Sequence, residues 1–295
     1  MHCWIWRTAR EPDCRATIES GRAIGDTRMN ITILANRDLA SNLALNHLLP
    51  RLSGRHDLQV FLSGQVGSNT NLPEPLRMLK FFEQTLFNDI LFPALERNRA
   101  GTKPFSFNQL SQFTTAPISM LNQVNSEAGL HTLRSGSPEL VVSIRYGAIL
   151  KPEAIAIPVH GVINLHSGLL PDYRGVMATF WALLHGETEI GTTLHYISDG
   201  SIDTGDIIGN TRMPVAQDNS YLWHVLQLYP QACDVLAQKI EEICCGGLPI
   251  SMPQPSGGNY YSFPGLEELE NFFRSGYRLY DLNEITDITD NYLAP

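Results

Sequence analysis

The chain has 295 residues, 43% of them hydrophobic, and a formal net charge of −9 at pH 7. That is enough apolar material for one large domain or a domain with an appendage, and the acidic balance argues against a general nucleic-acid binder, which needs a basic surface to displace counterions. No run of about 18 apolar residues occurs, so no helix is expected to span a membrane.

Residues 1–28 carry five arginines and four acids without an apolar core, so they are no secretory signal. They are expected to be a disordered leader or a mis-assigned start ahead of Met29. NITILA (30–35) is a compact run with β-branched residues, hence a predicted strand. NRDLASNLALNHLLPRL then carries a helical leucine stripe, with Pro50 punctuating its end. LQVFLS (58–63) predicts a second strand, and the Gly-, Ser-, Asn- and Pro-rich 64–75 a loop. Leu76, Leu79, Phe82, Leu86, Ile90 and Leu91 predict one apolar side of a helix over 76–97. Within 100–137, FNQLSQF suggests a short helical piece, and ISMLNQVNSEAGLHTL another helix ending near Gly129.

ELVVSI (139–144) reads as a strand buried on both faces. VINLH (162–166) follows, then a turn, a helix over about 175–186, a strand at 191–197 and an extended segment at 206–215. NSYLWHVLQLYPQACDVLAQKIEEICCGG predicts a long helix that Pro230 kinks or divides. Strands alternating with helices argue for an α/β domain with a largely parallel sheet over 29–250. The segment 251–295 reads as a short α+β appendage: NYYSF is strand-like, LEELENFF has apolar positions at helical spacing, and Gly276 is a natural stop. Cys3, Cys14, Cys233, Cys244 and Cys245 show neither a CxxC pair nor metal-ligand spacing and read as reduced thiols. No G-x-G-x-x-G follows the first strand and no G-x-x-x-x-G-K-[ST] occurs.

One run departs from this pattern. In GVINLHSGLLPDYRG (161–175), Val162, Ile163 and Leu165 suit a core strand but Asn164 and His166 do not. With a side-chain period of two, both point to one side, and polar groups there are costly unless paired. Asp203 lies in the turn-rich SDGSIDTGDII; if strands 162–166 and 191–197 are sheet neighbours, this loop can bring Asp203 beside His166. His195, in the second strand, either faces the same place or is a satisfied structural group.

NLHSGLLPDYRG, the helix FWALLHGE and HYISDGSIDTGDI, in this order, resemble the 10-formyltetrahydrofolate-dependent formyltransferases, the methionyl-tRNA, glycinamide ribonucleotide and sugar N-formyltransferase family. The resemblance is dense over about 139–215 and extends over about 29–245. It implies a Rossmann-like domain and a catalytic set of Asn164, His166 and Asp203. Asn164 would donate to the oxygen of the formyl carbon under attack. His166 would move protons, and Asp203 would favour its imidazolium and orient the ring. The resemblance also implies a folate pocket built largely from backbone at Arg145, Tyr146, Gly147, Ile149 and Leu150 and from the loop with Ile197 and Asp199.

The first βα loop, at the carboxyl ends of the strands, offers Asn36, Arg37 and Asp38 to the acceptor; Asp38 equally suits a helix cap. Arg174 either shapes a turn or meets a substrate anion. No metal is implied. The expected activity is transfer of a formyl group to the amine or hydroxylamine of a small molecule, such as an amino sugar nucleotide or an ornithine-type precursor, in the cytoplasm. Residues 256–295 contain seven acids and two arginines, which disfavours tRNA as acceptor; a glycinamide ribonucleotide enzyme is disfavoured because the first loop lacks a glycine-rich phosphate grip. The appendage reads as a lid or a homodimer arm. Hydrolysis of 10-formyltetrahydrofolate and a silent folate binder are the alternatives.

Overall fold

The computed structural model describes residues 28–64, 72–98, 104–247 and 249–293; the expected leader up to residue 27 and most of the expected loop at 64–75 lie outside them. β1 (Asn30–Asn36) leads into α1 (Leu39–Leu52) and back through β2 (Asp57–Ser63). One continuous helical stretch follows: α2 (Glu74–Lys80), a π-helical segment (Phe81–Leu91) and α3 (Phe92–Asn98). Then come α4 (Phe107–Leu110), a 3₁₀ turn, the short strand β3 (Ser119–Met120), α5 (Glu127–Ser135) and β4 (Leu140–Ile144). α6 (Pro152–Ile155) precedes β5 (Val162–His166), β6 (Tyr173–Gly175), α7 (Ala178–Leu184), β7 (Glu189–Ile197) and β8 (Ile207–Pro214). α8 (Tyr221–Cys244), β9 (Asn259–Tyr261), α9 (Leu266–Arg274) and α10 (Leu282–Leu293) complete the described chain.

The main sheet has the order β3-β2-β1-β4-β5-β7-β8. Its pairs are parallel from β3 through β5, and β7 runs antiparallel to both β5 and β8. This is the expected α/β architecture: a mostly parallel, Rossmann-like sheet flanked by helices. Alternate strand residues serve opposite faces. Ile31, Ile33, Val142, Ile163 and Leu165 enter the larger core, which α1 and α8 close. Leu34, Phe61, Val141 and Val162 enter a smaller core with Val124, Leu133, Leu150 and Ala154. Asn164 and His166 share the parity of Val162, so they sit on the smaller-core side.

Several local expectations are corrected. Pro50 lies inside α1, which runs on to Leu52, and α8 passes Pro230 unbroken. The stripe expected over 76–97 loses its phase at the π-helical turns, whose i→i+5 bonding includes Phe92 N–H to Phe87 O. Phe87 is buried as a result, and Ile90 is exposed. Gly129 does not end a helix. It lies in the first turn of α5, capped by Ser126, where a Cβ would meet Gln123 O at 2.0 Å. Residues 119–120, read as helical, form an edge strand beside β2. The helix expected over 175–186 starts at Ala178, and Gly175 is instead the last residue of β6, which pairs with β9.

The appendage packs onto the body. Leu269, Phe272, Ile285 and Tyr292 are buried in the larger core, and the Tyr292 hydroxyl donates to Asn42 Oδ1 at 2.5 Å. Burying side chains of this size contributes roughly 1.5–3 kcal/mol each. α10 was not expected from the sequence. Cys233 is a buried core thiol, pushed up to about 12 by burial, whereas Cys245 is disulfide-bonded, against the expectation of reduced thiols. Among the described residues no helix is long and apolar enough to cross a membrane.

Candidate active site

β5 and β7 are antiparallel neighbours, with Asn164 opposite His195 and His166 opposite Thr193. Directly opposed residues share a face, so the register alone brings Asn164, His166 and His195 together. The loop 198–206 folds back over this face and inserts Asp203. Asp203 Oδ2 lies 3.5 Å from His166 Nδ1 and Oδ1 3.4 Å from His195 Nε2. Asn164 Nδ2 is 3.4 Å from Asp203 Oδ1 and 3.1 Å from His195 Nε2. The Gly175 N–H donates to Asp203 Oδ2 at 2.8 Å. One carboxylate is thus shared by two imidazoles, an amide and a backbone donor.

The carbonyl partners assign the ring protons, because a carbonyl can only accept. His166 Nε2–H donates to Tyr173 O at 2.7 Å, which leaves Nδ1 facing the carboxylate. Both ring nitrogens therefore face oxygen acceptors, and only the imidazolium donates to both. His195 Nδ1–H donates to Tyr196 O at 2.8 Å, and its Nε2 lies between the Asn164 amide and the carboxylate: the neutral ring accepts from Asn164, and the imidazolium donates to Asp203. Burial alone would raise the Asp203 carboxyl. The charge of His166 and the hydrogen bonds of His195 and Gly175 outweigh it and hold the group down at about 2. Asp203 pays for this placement with a left-handed backbone, φ +55°.

Gly175 is required by close approach. Its φ is +94°, and a Cβ there would meet Tyr261 O at 2.1 Å. β9 therefore presses directly on the strand that holds the carboxylate.

Asn36 and Asp38 of the first βα loop enter a buried hydrogen-bonded cluster. Asp38 caps α1 through Ser41 N–H at 2.8 Å, accepts from Asn36 Nδ2 at 2.8 Å and pairs with Arg145 Nε at 2.9 Å. Asn36 and Asp38 are both buried. Arg145, with φ +56°, also reaches Glu83 at 3.7 Å. Burial pushes the Glu83 carboxyl up to about 7, against the attraction of Arg145. Arg37 alone of this loop faces outward, lining a cavity of about 380 Å³ with Asn88, Phe92, Phe107 and Met120. Arg174 donates to Gly257 O and so ties β6 to the appendage.

The expected folate loop lies on the same sheet face as the site. Leu150 is buried in the smaller core, with Tyr146, Ala148 and Ile197 packed against it. Gly147 N–H donates to Ser63 Oγ at 2.9 Å, and the Tyr146 hydroxyl to Leu121 O. Ile149 is exposed, and Asp199 accepts from Ser201 N–H at 2.7 Å within its own turn. Among the described residues no cluster of His, Cys, Asp and Glu could hold a metal.

Sequence reasoning missed the Gly175 N–H and Tyr173 O partners, whose approach depends on a turn and a distant strand. It left His195 open; the cross-strand register is the signal that decides its place.

Residues 94–222 match the family model described as formyl transferase. A methionyl-tRNA formyltransferase of Thermus thermophilus is 33% identical over 167 residues, 56% of this chain and 53% of that protein. The chain spans about half the length of the curated relatives it matches. Among solved structures, a glycinamide ribonucleotide transformylase from Symbiobacterium toebii aligns with a TM-score of 0.55 at 16% identity, covering 78% of this chain and 94% of that one. A sugar N-formyltransferase from a Shewanella species aligns with a TM-score of 0.51 at 16% identity, covering 83% and 87%. The likeness to these two is one of fold.

Proposed function

We propose that this chain, whose residues 94–222 match a formyl transferase family model, transfers a formyl group from 10-formyltetrahydrofolate to the amine or hydroxylamine of a small molecule, in the cytoplasm. The observation that carries the reading is the convergence of Asn164, His166 and His195 on the one carboxylate of Asp203. The folate supplies an activated formyl group when bound. Tyr146, Ala148, Leu150 and Ile197 would hold it against the smaller core.

The residues then divide the work. Asn164 exchanges its long 3.4 Å contact to Asp203 for the formyl oxygen and donates where negative charge collects. One such donor is worth roughly 2.7–4 kcal/mol. When protonated at Nδ1, His166 neutralises that charge and passes the proton to N10 as the formyl C–N10 bond breaks. The imidazole so formed takes the proton that the attacking amine loses as its own C–N bond forms, which restores the imidazolium. A carboxyl held at about 2 is a weak base, so Asp203 holds and polarises the two rings while the imidazoles move the protons.

The acidic tail, seven acids against two arginines over 256–295, supports a small acceptor over tRNA.

The test incubates the purified chain with 10-formyltetrahydrofolate and an amine library, with products read by mass spectrometry. The expected result is one formylated amine, abolished in His166→Ala. Equal turnover without any amine would replace this reading by hydrolysis.

A further inference from the structure

We propose that Gln254 is a positioning residue for Asp203, acting from the appendage to fix the backbone of the loop that presents the carboxylate. The consequence for turnover rests on the formyl-transfer reading; the contact itself does not.

Gln254 Nε2 donates to Asp203 O at 2.9 Å and to Gly205 O at 2.8 Å. An amide nitrogen carries two hydrogens, so each carbonyl receives one. A single side chain therefore straddles Thr204 and holds both ends of the turn. The turn needs holding: Asp203 sits at φ +55° without being glycine, a conformation that persists only where its surroundings over-determine it. Oε1 of Gln254 is buried without a partner, so the amide engages its surroundings through Nε2.

Neighbouring contacts extend the grip. Met252 exchanges two backbone hydrogen bonds of 2.8 Å with Ile207, and Ser251 Oγ donates to Asp206 Oδ2 at 3.4 Å. On the opposite side β9 pairs with β6, whose Gly175 N–H binds the carboxylate. The segment after α8 thus grips both the loop that carries Asp203 and the strand that receives it. His166 from β5 and His195 from β7 are the titratable groups facing the carboxylate, and both shift in effect if the loop drifts. A misplacement of about 1 Å at a reacting constellation can cost up to about 100-fold in rate.

The test uses the full chain with Gln254→Met, which keeps the length, removes both donors and adds no charge. Gln254→Asn, one methylene short, is the second variant should the first fold poorly. The Asp203 carboxyl carbon is followed by NMR titration, assigned by its loss in Asp203→Asn, alongside formyl-transfer kinetics and urea unfolding. The expected result is a titration midpoint moved up from about 2, and kcat reduced roughly 10- to 100-fold with the folate KM nearly unchanged and the urea midpoint retained. A wild-type titration with wild-type kcat, or a kcat that falls only with the folded fraction, overturns the proposal. If the wild-type chain formylates no amine, the functional reading falls while the titration still decides the role of Gln254.

Discussion

Asp203→Asn keeps the side chain's shape and removes its charge. The folded carboxyl is held at about 2 against an ordinary 3.8; at 1.36 kcal/mol per pH unit the gap corresponds to about 2 kcal/mol. The side chain is 10% exposed, so solvent screening removes little of this. A carboxylate depressed in the folded state stabilises fully above its unfolded value and loses that stability as pH falls through the folded one. The contribution is therefore complete at pH 7, about half remains at pH 3, and it vanishes below about 2. Urea unfolding of both proteins at pH 7 and pH 3 reads it directly. The variant should be less stable by about 2 kcal/mol at pH 7 and by about 1 kcal/mol at pH 3, with turnover lower by about 10²–10⁴-fold. A stability difference that is flat with pH, or absent at pH 7, would refute the shared-carboxylate description.

Asn164→Ala should lower kcat by about 10²–10³-fold while leaving the folate KM within a few-fold; steady-state kinetics with varied folate check it. Glu83 tests the opposite sign of linkage. Burial raises its folded value to about 7 from 4.5, so its ionisation costs stability as pH climbs through that window, up to about 3 kcal/mol above it. Glu83→Gln should stabilise the protein at pH 8 and change nothing at pH 4, and a destabilised variant at pH 8 would show that its pairing with Arg145 outweighs desolvation. Phe272 is fully buried against Phe180, with ring centroids 4.4 Å apart. Phe272→Ala should cost about 3–5 kcal/mol within one cooperative urea transition. A separate early transition for the tail would mean that it is not part of the same core.

The strands were the legible part of the fold. β4 is a short run buried on both faces, β5 is mostly so and carries the polar Asn164 and His166, and their boundaries lie within a residue of those read from the sequence. The segments that misled were those whose shape answers to something distant. Gly129 looks like a helix stop but is small because the backbone at 123–124 passes against it. β6 is a strand only because β9 arrives 86 positions later. Asp38 caps α1 through the nearby Ser41 N–H, as its position beside the helix start suggests, but its partner Arg145, 107 residues away, leaves no local signal.

By itself, the sequence determined the strands β1, β2, β4, β5 and β7, the helices α1 and α8 and the types of polar group at the end of β5, since these follow from side-chain period and local backbone preference. Tertiary structure alone decided which groups meet. It placed His195 through the antiparallel register of β7 and aimed Asp203 through Gly175 and Gln254. It also turned the acidic tail inward through Phe272 and Tyr292. The physical reason is that a hydrogen bond or ion pair between remote residues leaves no periodic trace in either segment. It exists only once the apolar faces have packed and closed the loops between them.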